Sequence, residues 1–180
     1  MFWSLLFFTW QANAAPKQVG NYAINFSLPA LNPQLTAKQT GAVDVMLSRF
    51  VGPVPQIDSS AVILYFYSST SGVEQLEMLT AVKKKYRSKK NVHFIGICSD
   101  RKTEHAGCIG ARRVNFPVLH DRFLLVMDRY NIEAFPTLIL VDRKGQVFAR
   151  SKSDAKFLMD DLPDSIDAIL EEDKKIYRGK

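Results

Sequence analysis

Hydrophobic residues in this chain form a few continuous runs, each followed by a longer stretch in which they recur at helical spacing. The strongest run, Val62–Tyr67, leads into the small residues Ser68–Gly72. A continuous apolar run bounded by turn residues is typical of a strand that is buried on both faces. Residues 72–90 are predicted to form a helix, because apolar residues recur close to helical period and give one buried face. Those residues are Val73, Leu76, Leu79 and Val82.

The alternation of strands and helices continues toward the C-terminal end. The predicted elements are a strand, a short helix capped by Asp100 or Thr103, an extended piece, a helix, a strand, a hairpin and a closing helix. Their ranges are Val92–Cys98, a helix reaching Arg113, Phe116–His120, Phe123–Tyr130, Thr137–Val141, a turn at Asp142–Gly145 into Gln146–Arg150, and Ala155–Glu172, interrupted or restarted at Pro163. This order predicts an α/β fold with a central mixed β-sheet flanked by helices on both faces.

The helix predicted at Phe123–Tyr130 has an apolar face. We expect its buried residues to be Phe123, Val126, Met127 and Tyr130.

Residues 17–61 show no strong periodicity and are predicted to be an irregular extension. Within it, Asn25–Leu31 is a short edge segment, because Pro29 cannot take part in the hydrogen bonding of a central strand. Val43–Leu47 alternates weakly and is a second short strand candidate. A chain of 180 residues with 47% hydrophobic residues suits one domain with a sizeable core. We expect that domain to span residues 15–180.

The first fourteen residues are predicted to be a signal peptide. Phe2–Trp10 is mostly apolar, and Ala12–Ala14 resembles a small-residue cleavage site. The run is far shorter than the about 20 apolar residues that span a bilayer. No Lys or Arg precedes it, which departs from the usual signal. The sequence therefore predicts an exported protein of the periplasm or extracytoplasmic envelope, with Ala15 as the mature N-terminus and no transmembrane span.

Positive charge is concentrated in one place. The chain has 24 Lys and Arg against 18 Asp and Glu, and Lys83–Lys90 holds six of the positive charges. This run falls where the predicted helix ends, and cations complement the helix dipole there. It has one aromatic residue, Tyr86, and no recognised module around it, so a solvated helix end is favoured over a nucleic-acid site.

The two cysteines, Cys98 and Cys108, permit a disulfide in an exported chain. A strand followed by a helix that doubles back could bring them to bridging distance. The alternatives are a stabilising disulfide, two buried thiols and a reactive pair. His105 and Cys108 lack the four ligands of a structural zinc site, so no metal is expected. No cofactor is expected either.

The junction after the strongest strand is the predicted position of a functional site. In open α/β sheets, ligands bind where a strand ends and a helix begins, because the helix offers free N–H groups and positive potential.

Several strings, taken in order, resemble the thioredoxin-like superfamily, in particular exported TlpA-type thiol–disulfide oxidoreductases and the related peroxiredoxin (AhpC/TSA) domains. They are Asn25–Leu31, Leu47–Gly52, Leu64–Tyr67, Phe116–Asp121 and Ile132–Thr137. The resemblance extends over residues 22–172 and depends on the order and spacing of the strings. It implies a thioredoxin-like fold of the redoxin type, with a cis-proline at Pro136.

The resemblance places Ser71-Gly72-Val73-Glu74 where the family has its Cys-x-x-Cys motif. The first cysteine of that motif works because the helix N-terminus lowers the pKa of its thiol, and serine has no comparable acidity. The peroxiredoxin pattern Pro-x-x-x-Thr-x-x-Cys keeps Thr70 but puts Phe66 and Val73 at the Pro and Cys positions. Both alignments lack the nucleophile, so whether the chain is an enzyme is left open.

Three functions follow from this departure. The favoured hypothesis is a non-redox module that binds an extended polypeptide or an envelope protein. In the family, the residue before the proline presents its backbone to an extended substrate. The partner-binding residues would be Ser71, Gly72, Glu74, Phe135 and Pro136.

The second hypothesis is a thiol–disulfide oxidoreductase or antioxidant that uses Cys98 and Cys108 as its catalytic pair. The third is a structural subunit of an envelope complex. A groove that stays open between residues 69–74 and 134–137 would favour the polypeptide-binding hypothesis over the third.

Overall fold

The computed structural model describes residues 20–99, 114–152 and 160–178. Its centre is a five-stranded sheet in the order β5-β4-β3-β6-β7. The strands are β3 (Ala61–Tyr67), β4 (Val92–Cys98), β5 (Val118–His120), β6 (Thr137–Asp142) and β7 (Val147–Lys152). β3 runs parallel to β4 and antiparallel to β6. β4 and β5 are parallel, whereas β6 and β7 are antiparallel, so the sheet is mixed as predicted.

β3 is the central strand of the sheet, between β4 and β6. Every one of its seven residues is buried. Successive side chains of a strand point to opposite faces. Tyr65 and Tyr67 accordingly enter one apolar cluster, and Leu64 and Phe66 enter the other. The two clusters are the two halves of the core.

Two helices cover the Tyr65 face of the sheet: α2 (Gln75–Lys85) and α4 (Leu162–Asp173). They contribute Leu76, Leu79 and Ile166 to the same cluster as Tyr65. Pro163 lies in the first turn of α4, where its missing N–H costs no helical hydrogen bond.

The Leu64 face is covered by a 3-10 turn, Leu47–Arg49, and by the short helix α3 (Leu125–Arg129). Val126, Met127 and Tyr130 are buried in this half of the core, as predicted. The prediction is wrong for Phe123, which is 70% exposed. It precedes the helix and so does not share the buried face.

The N-terminal part is more ordered than predicted. β1 (Ser27–Pro29) pairs antiparallel with β2 (Asp44–Met46) in a separate two-stranded sheet, and helix α1 (Pro33–Thr40) lies between them. Pro33 starts α1 and Gly41 ends it with a positive φ of 75°. The sequence does not predict α1, because its only buried residues, Thr36 and Thr40, give it no apolar periodicity.

Several predictions lie outside the described residues. They concern the signal peptide at residues 1–14, the cleavage site at Ala15, the helix ending at Arg113, Cys108, and the first part of the closing helix. Within the described ranges, no helix combines the length and apolar character needed to cross a membrane.

Candidate functional site

The junction between β3 and α2 begins with a tight turn. The backbone N–H of Ser68 donates to the carbonyl of Ser71 at 2.9 Å, and the N–H of Ser71 donates back at 3.2 Å. Gly72 follows with a φ of +95°, outside the helical region. The helix therefore starts at Gln75 and not at residue 72, and Ser71 precedes it instead of lying at its first turn.

Gly72 packs directly against the loop that precedes β6. A Cβ placed on it would lie 2.9 Å from the Cβ of Pro136 and 2.9 Å from the Cβ of Tyr67. Real side chains do not approach so closely, and the positive φ also favours glycine. Both the space and the backbone therefore require glycine here.

The loop before β6 meets this turn through its backbone. The peptide bond between Phe135 and Pro136 is cis. The Ser71 hydroxyl donates a hydrogen bond to the Phe135 carbonyl oxygen at 2.9 Å. The hydroxyl of Thr137 donates to the Ala134 carbonyl at 2.7 Å, so both carbonyls before the proline accept hydroxyl hydrogen bonds.

The structure thus brings together four of the predicted partner-binding residues: Ser71, Gly72, Phe135 and Pro136. Glu74 is exposed at the start of α2. The two segments touch, so the open groove that would favour polypeptide binding over a structural subunit is not present between residues 71–72 and 135–136. Ser71, Phe135 and Pro136 are each half-buried, which leaves a shared accessible surface.

The hydrogen bonds limit what Ser71 can do chemically. A serine nucleophile needs a base that takes its proton, and a backbone carbonyl cannot act as one. Tyr65 donates its phenolic hydrogen to the Gly72 carbonyl at 2.8 Å. Burial, and secondarily the charge of Glu74, raises the pKa of Tyr65, so the phenol stays neutral. This turn is built for hydrogen bonding.

Cys98 is the last residue of β4 and lies opposite Tyr67 in the sheet register. Its side chain is fully buried in the core cluster that contains Tyr67 and Phe116. A thiol must be accessible to react with the disulfide of a substrate. Since Cys108 lies outside the described residues, the structure gives no distance for the predicted pair.

The basic run contains one residue that is not a solvated charge. The ammonium of Lys83 donates to the Asn115 carbonyl at 2.5 Å and to the Gln39 side-chain oxygen at 3.0 Å. It also lies 5.9 Å from the centre of the Phe116 ring. Burial lowers the pKa of Lys83 to about 8. The prediction of a wholly solvated helix end is therefore wrong for Lys83, although Lys84 and Lys85 are exposed.

In the part of the chain that the structure describes, no three His, Cys, Asp or Glu side chains gather where they could hold a metal ion.

Comparison with known proteins places this arrangement in a family. A family model described as the AhpC/TSA family matches residues 19–150, which is most of the chain. No curated protein matches the sequence.

Solved structures share the fold at low sequence identity. A protein described as the thiol:disulfide interchange protein DsbE from Chlorobium tepidum superposes with a TM-score of 0.70 at 22% identity, covering 85% of this chain and 98% of its own. The mitochondrial 2-Cys peroxiredoxin from Plasmodium falciparum gives 0.66 at 22% identity, covering 87% and 96%. A secreted Mycobacterium tuberculosis disulfide oxidoreductase gives 0.59 at 16% identity, covering 79% and 95%.

These structural likenesses establish a thioredoxin-like fold. Together with the family match over residues 19–150, they show that the chain belongs to the AhpC/TSA family of the thioredoxin-like superfamily.

Proposed function

We propose that this chain is a non-redox member of its family that binds an extended polypeptide at the surface shared by Ser71–Glu74 and Phe135–Pro136. The observation that carries the proposal is the hydrogen bond from the Ser71 hydroxyl to the Phe135 carbonyl at 2.9 Å. It commits the hydroxyl at the junction to a backbone acceptor, in a position where the family resemblance expects a reactive thiol.

The absence of a thiol at residues 71 and 74 argues against exchange chemistry there. A cysteine at a helix N-terminus is partly ionised at neutral pH, and its thiolate is the attacking group. Serine has no comparable acidity, and the partner of Ser71 is a hydrogen-bond acceptor without basic character. Glu74 cannot resolve a mixed disulfide.

The backbone of Phe135 supports polypeptide binding. A carbonyl oxygen has two lone pairs, so the bond from Ser71 leaves one for a second donor. Phe135 and Pro136 are half-buried and therefore partly accessible. Main-chain hydrogen bonds of this kind provide affinity for an extended chain, while neighbouring side chains provide selectivity. Glu74, which is exposed, adds a negative charge beside this surface.

The alternative is a thiol–disulfide oxidoreductase or antioxidant that uses Cys98 and Cys108. One observation favours it: Cys98 lies opposite Tyr67, at the strand end next to the junction. Its complete burial weighs against it, because the side chain would have to become accessible before any exchange.

We also propose that the protein is exported. The apolar run Phe2–Trp10 and the small residues before Ala15 support this. A protein with the same fold, the Mycobacterium tuberculosis oxidoreductase, is described as secreted. The mass of the protein recovered from its native host should correspond to a chain that begins at or near Ala15.

An assay of insulin reduction by dithiothreitol distinguishes a non-redox protein from a thiol–disulfide oxidoreductase. We expect the domain to add nothing to the rate given by dithiothreitol alone. The matched variant replaces Cys98 and Cys108 by Ser and should behave identically. A catalysed rate that this double substitution abolishes would contradict the proposal and establish the alternative.

A further inference from the structure

A groove of about 480 Å³ lies at the far end of α2 from the Ser71 turn. It runs between the C-terminal end of α2, the first half of β4, and residues from α1 and the segment before β5. The described residues that line it include Gln39, Lys83, Lys84, Arg87, Lys90 and Asn115. Helix α2 has 11 residues, so roughly 16 Å of helix separates the groove from the turn.

The charge of the groove is one-sided. Lys83, Lys84, Arg87, Lys89 and Lys90 line it, and none of its described lining residues is Asp or Glu. Lys89 also lines a neighbouring pocket that contains Glu171, so its charge is partly offset. The C-terminal end of α2 contributes about half a negative charge. That is much less than the four remaining cations carry, so the groove keeps a net positive potential.

Lys83 is held inside this groove. Its ammonium donates to the Asn115 carbonyl at 2.5 Å and to Gln39 at 3.0 Å. Both acceptors are neutral, and an ammonium has three donors, so one remains. Burial lowers the pKa of Lys83 to about 8, because the ammonium is partly removed from water. A negatively charged ligand would stabilise this ammonium more than its neutral partners do.

We propose that this groove binds a small polyvalent anion bearing phosphate or carboxylate groups, with Lys83 at its inner end and the exposed Lys84 and Arg87 at its mouth. The size suits a small molecule, since ligand sites commonly occupy about 300–1,000 Å³. An arginine at the mouth can bind such a group through two parallel hydrogen bonds. This site does not involve Ser71 or a thiol, so it is independent of the proposed polypeptide binding.

Calorimetric titration with pyrophosphate and with citrate at low ionic strength tests the proposal and distinguishes the two anion types. Lys83→Met keeps most of the aliphatic stem and removes the charge. Lys84→Gln combined with Arg87→Gln leaves the interior of the protein untouched. We expect each variant to weaken the better ligand by about tenfold or more. Lys85→Gln is the control, because Lys85 belongs to the same run but does not line the groove.

The assignment is overturned if neither anion binds. It is also overturned if Lys85→Gln weakens binding as much as the other variants, because the basic surface would then attract anions without a site. Tighter binding of a single-stranded oligonucleotide or a poly-glutamate peptide, undiminished by Lys83→Met, would replace the small-anion site by a general polyanion surface. Circular dichroism confirms that each variant is folded.

Discussion

The hydroxyl of Ser71 and the carbonyl oxygen of Phe135, which are 64 positions apart in the chain, form a hydrogen bond of 2.9 Å. This bond joins the turn after the central strand to the loop before β6. It also commits the only side-chain hydrogen that Ser71 can donate. The proposed binding surface is therefore fixed by a long-range contact between two loops.

Ser71→Ala should destabilise the domain by about 0.5–1.5 kcal/mol, the usual net contribution of one hydrogen bond. Denaturant unfolding measures the change. Ser165→Ala is the control, because the Ser165 hydroxyl donates to the Asp161 carbonyl at the same 2.9 Å, but this bond is exposed and joins neighbouring residues at the start of α4. We expect the control to cost less, and equal losses would mean that the contact between the loops adds nothing.

Gly72→Ala should be more damaging. The new Cβ would lie 2.9 Å from the Cβ atoms of both Pro136 and Tyr67. Gly52→Ala is the matched control, because its φ of +109° is equally unfavourable for alanine while nothing lies within 4 Å. The control should lose about 1 kcal/mol or somewhat more from its backbone alone. Gly72→Ala should lose a further 1–3 kcal/mol or so from overpacking. Denaturant unfolding measures both losses. Similar unfolding midpoints for the two variants would show that the turn can move away from Pro136.

Cysteines at positions 71 and 74 should form a reducible disulfide. The family resemblance aligns these positions with the redox pair, and a bridge requires Cα atoms about 4.4–6.8 Å apart. Ser71→Cys with Glu74→Cys, in a background where Cys98 and Cys108 are Ser, should lose both thiols on mild oxidation. Ser71→Cys with Glu77→Cys is the control and should keep both, because Glu77 lies nearly one helical turn further along α2. Free thiols at 71 and 74 would mean that the alignment is wrong.

The main sheet could be predicted because its three inner strands, β4, β3 and β6, are continuous apolar runs. β3, β4 and β6 are almost wholly buried, so their composition alone identifies them. The turn into α2 was predicted at the correct place for the same reason. Residues 72–74 were wrongly assigned to the helix, which starts at Gln75. The sequence does not show that Gly72 adopts a positive φ.

The remaining differences come from contacts between distant parts of the chain. Lys83 is bound by Gln39, which lies on α1, a helix with no apolar periodicity. Phe123 fits a helical face, but Leu124 has a φ of 59° and the helix begins only after it. Ser71 and Phe135 are joined by a hydrogen bond that no local pattern encodes. Periodicity reports burial and is silent about such pairings.

Lys83 should make stability depend on pH in the alkaline range. Its pKa is lowered by burial from 10.5 to about 8. Between those values the unfolded chain binds a proton that the folded chain has released, so this group's contribution to stability rises with pH. The free energy of unfolding of the wild type, minus that of Lys83→Met, should increase from about pH 8 upward. A flat difference would show that the pKa of Lys83 is the same in the folded and the unfolded chain.

The surface around Ser71 and Phe135 is proposed to bind polypeptide without thiol chemistry. An amide chemical-shift titration of the double variant Cys98→Ser, Cys108→Ser with an unfolded polypeptide whose cysteines are alkylated tests this. Neither partner can then exchange disulfides. We expect saturable shifts at residues 71–74 and at residues 134, 135 and 137, since Pro136 has no N–H. The absence of shifts at these residues at saturating polypeptide would contradict polypeptide binding at this surface. Binding seen only between the wild-type chain and a polypeptide whose cysteines are not alkylated would instead support thiol chemistry at Cys98 and Cys108.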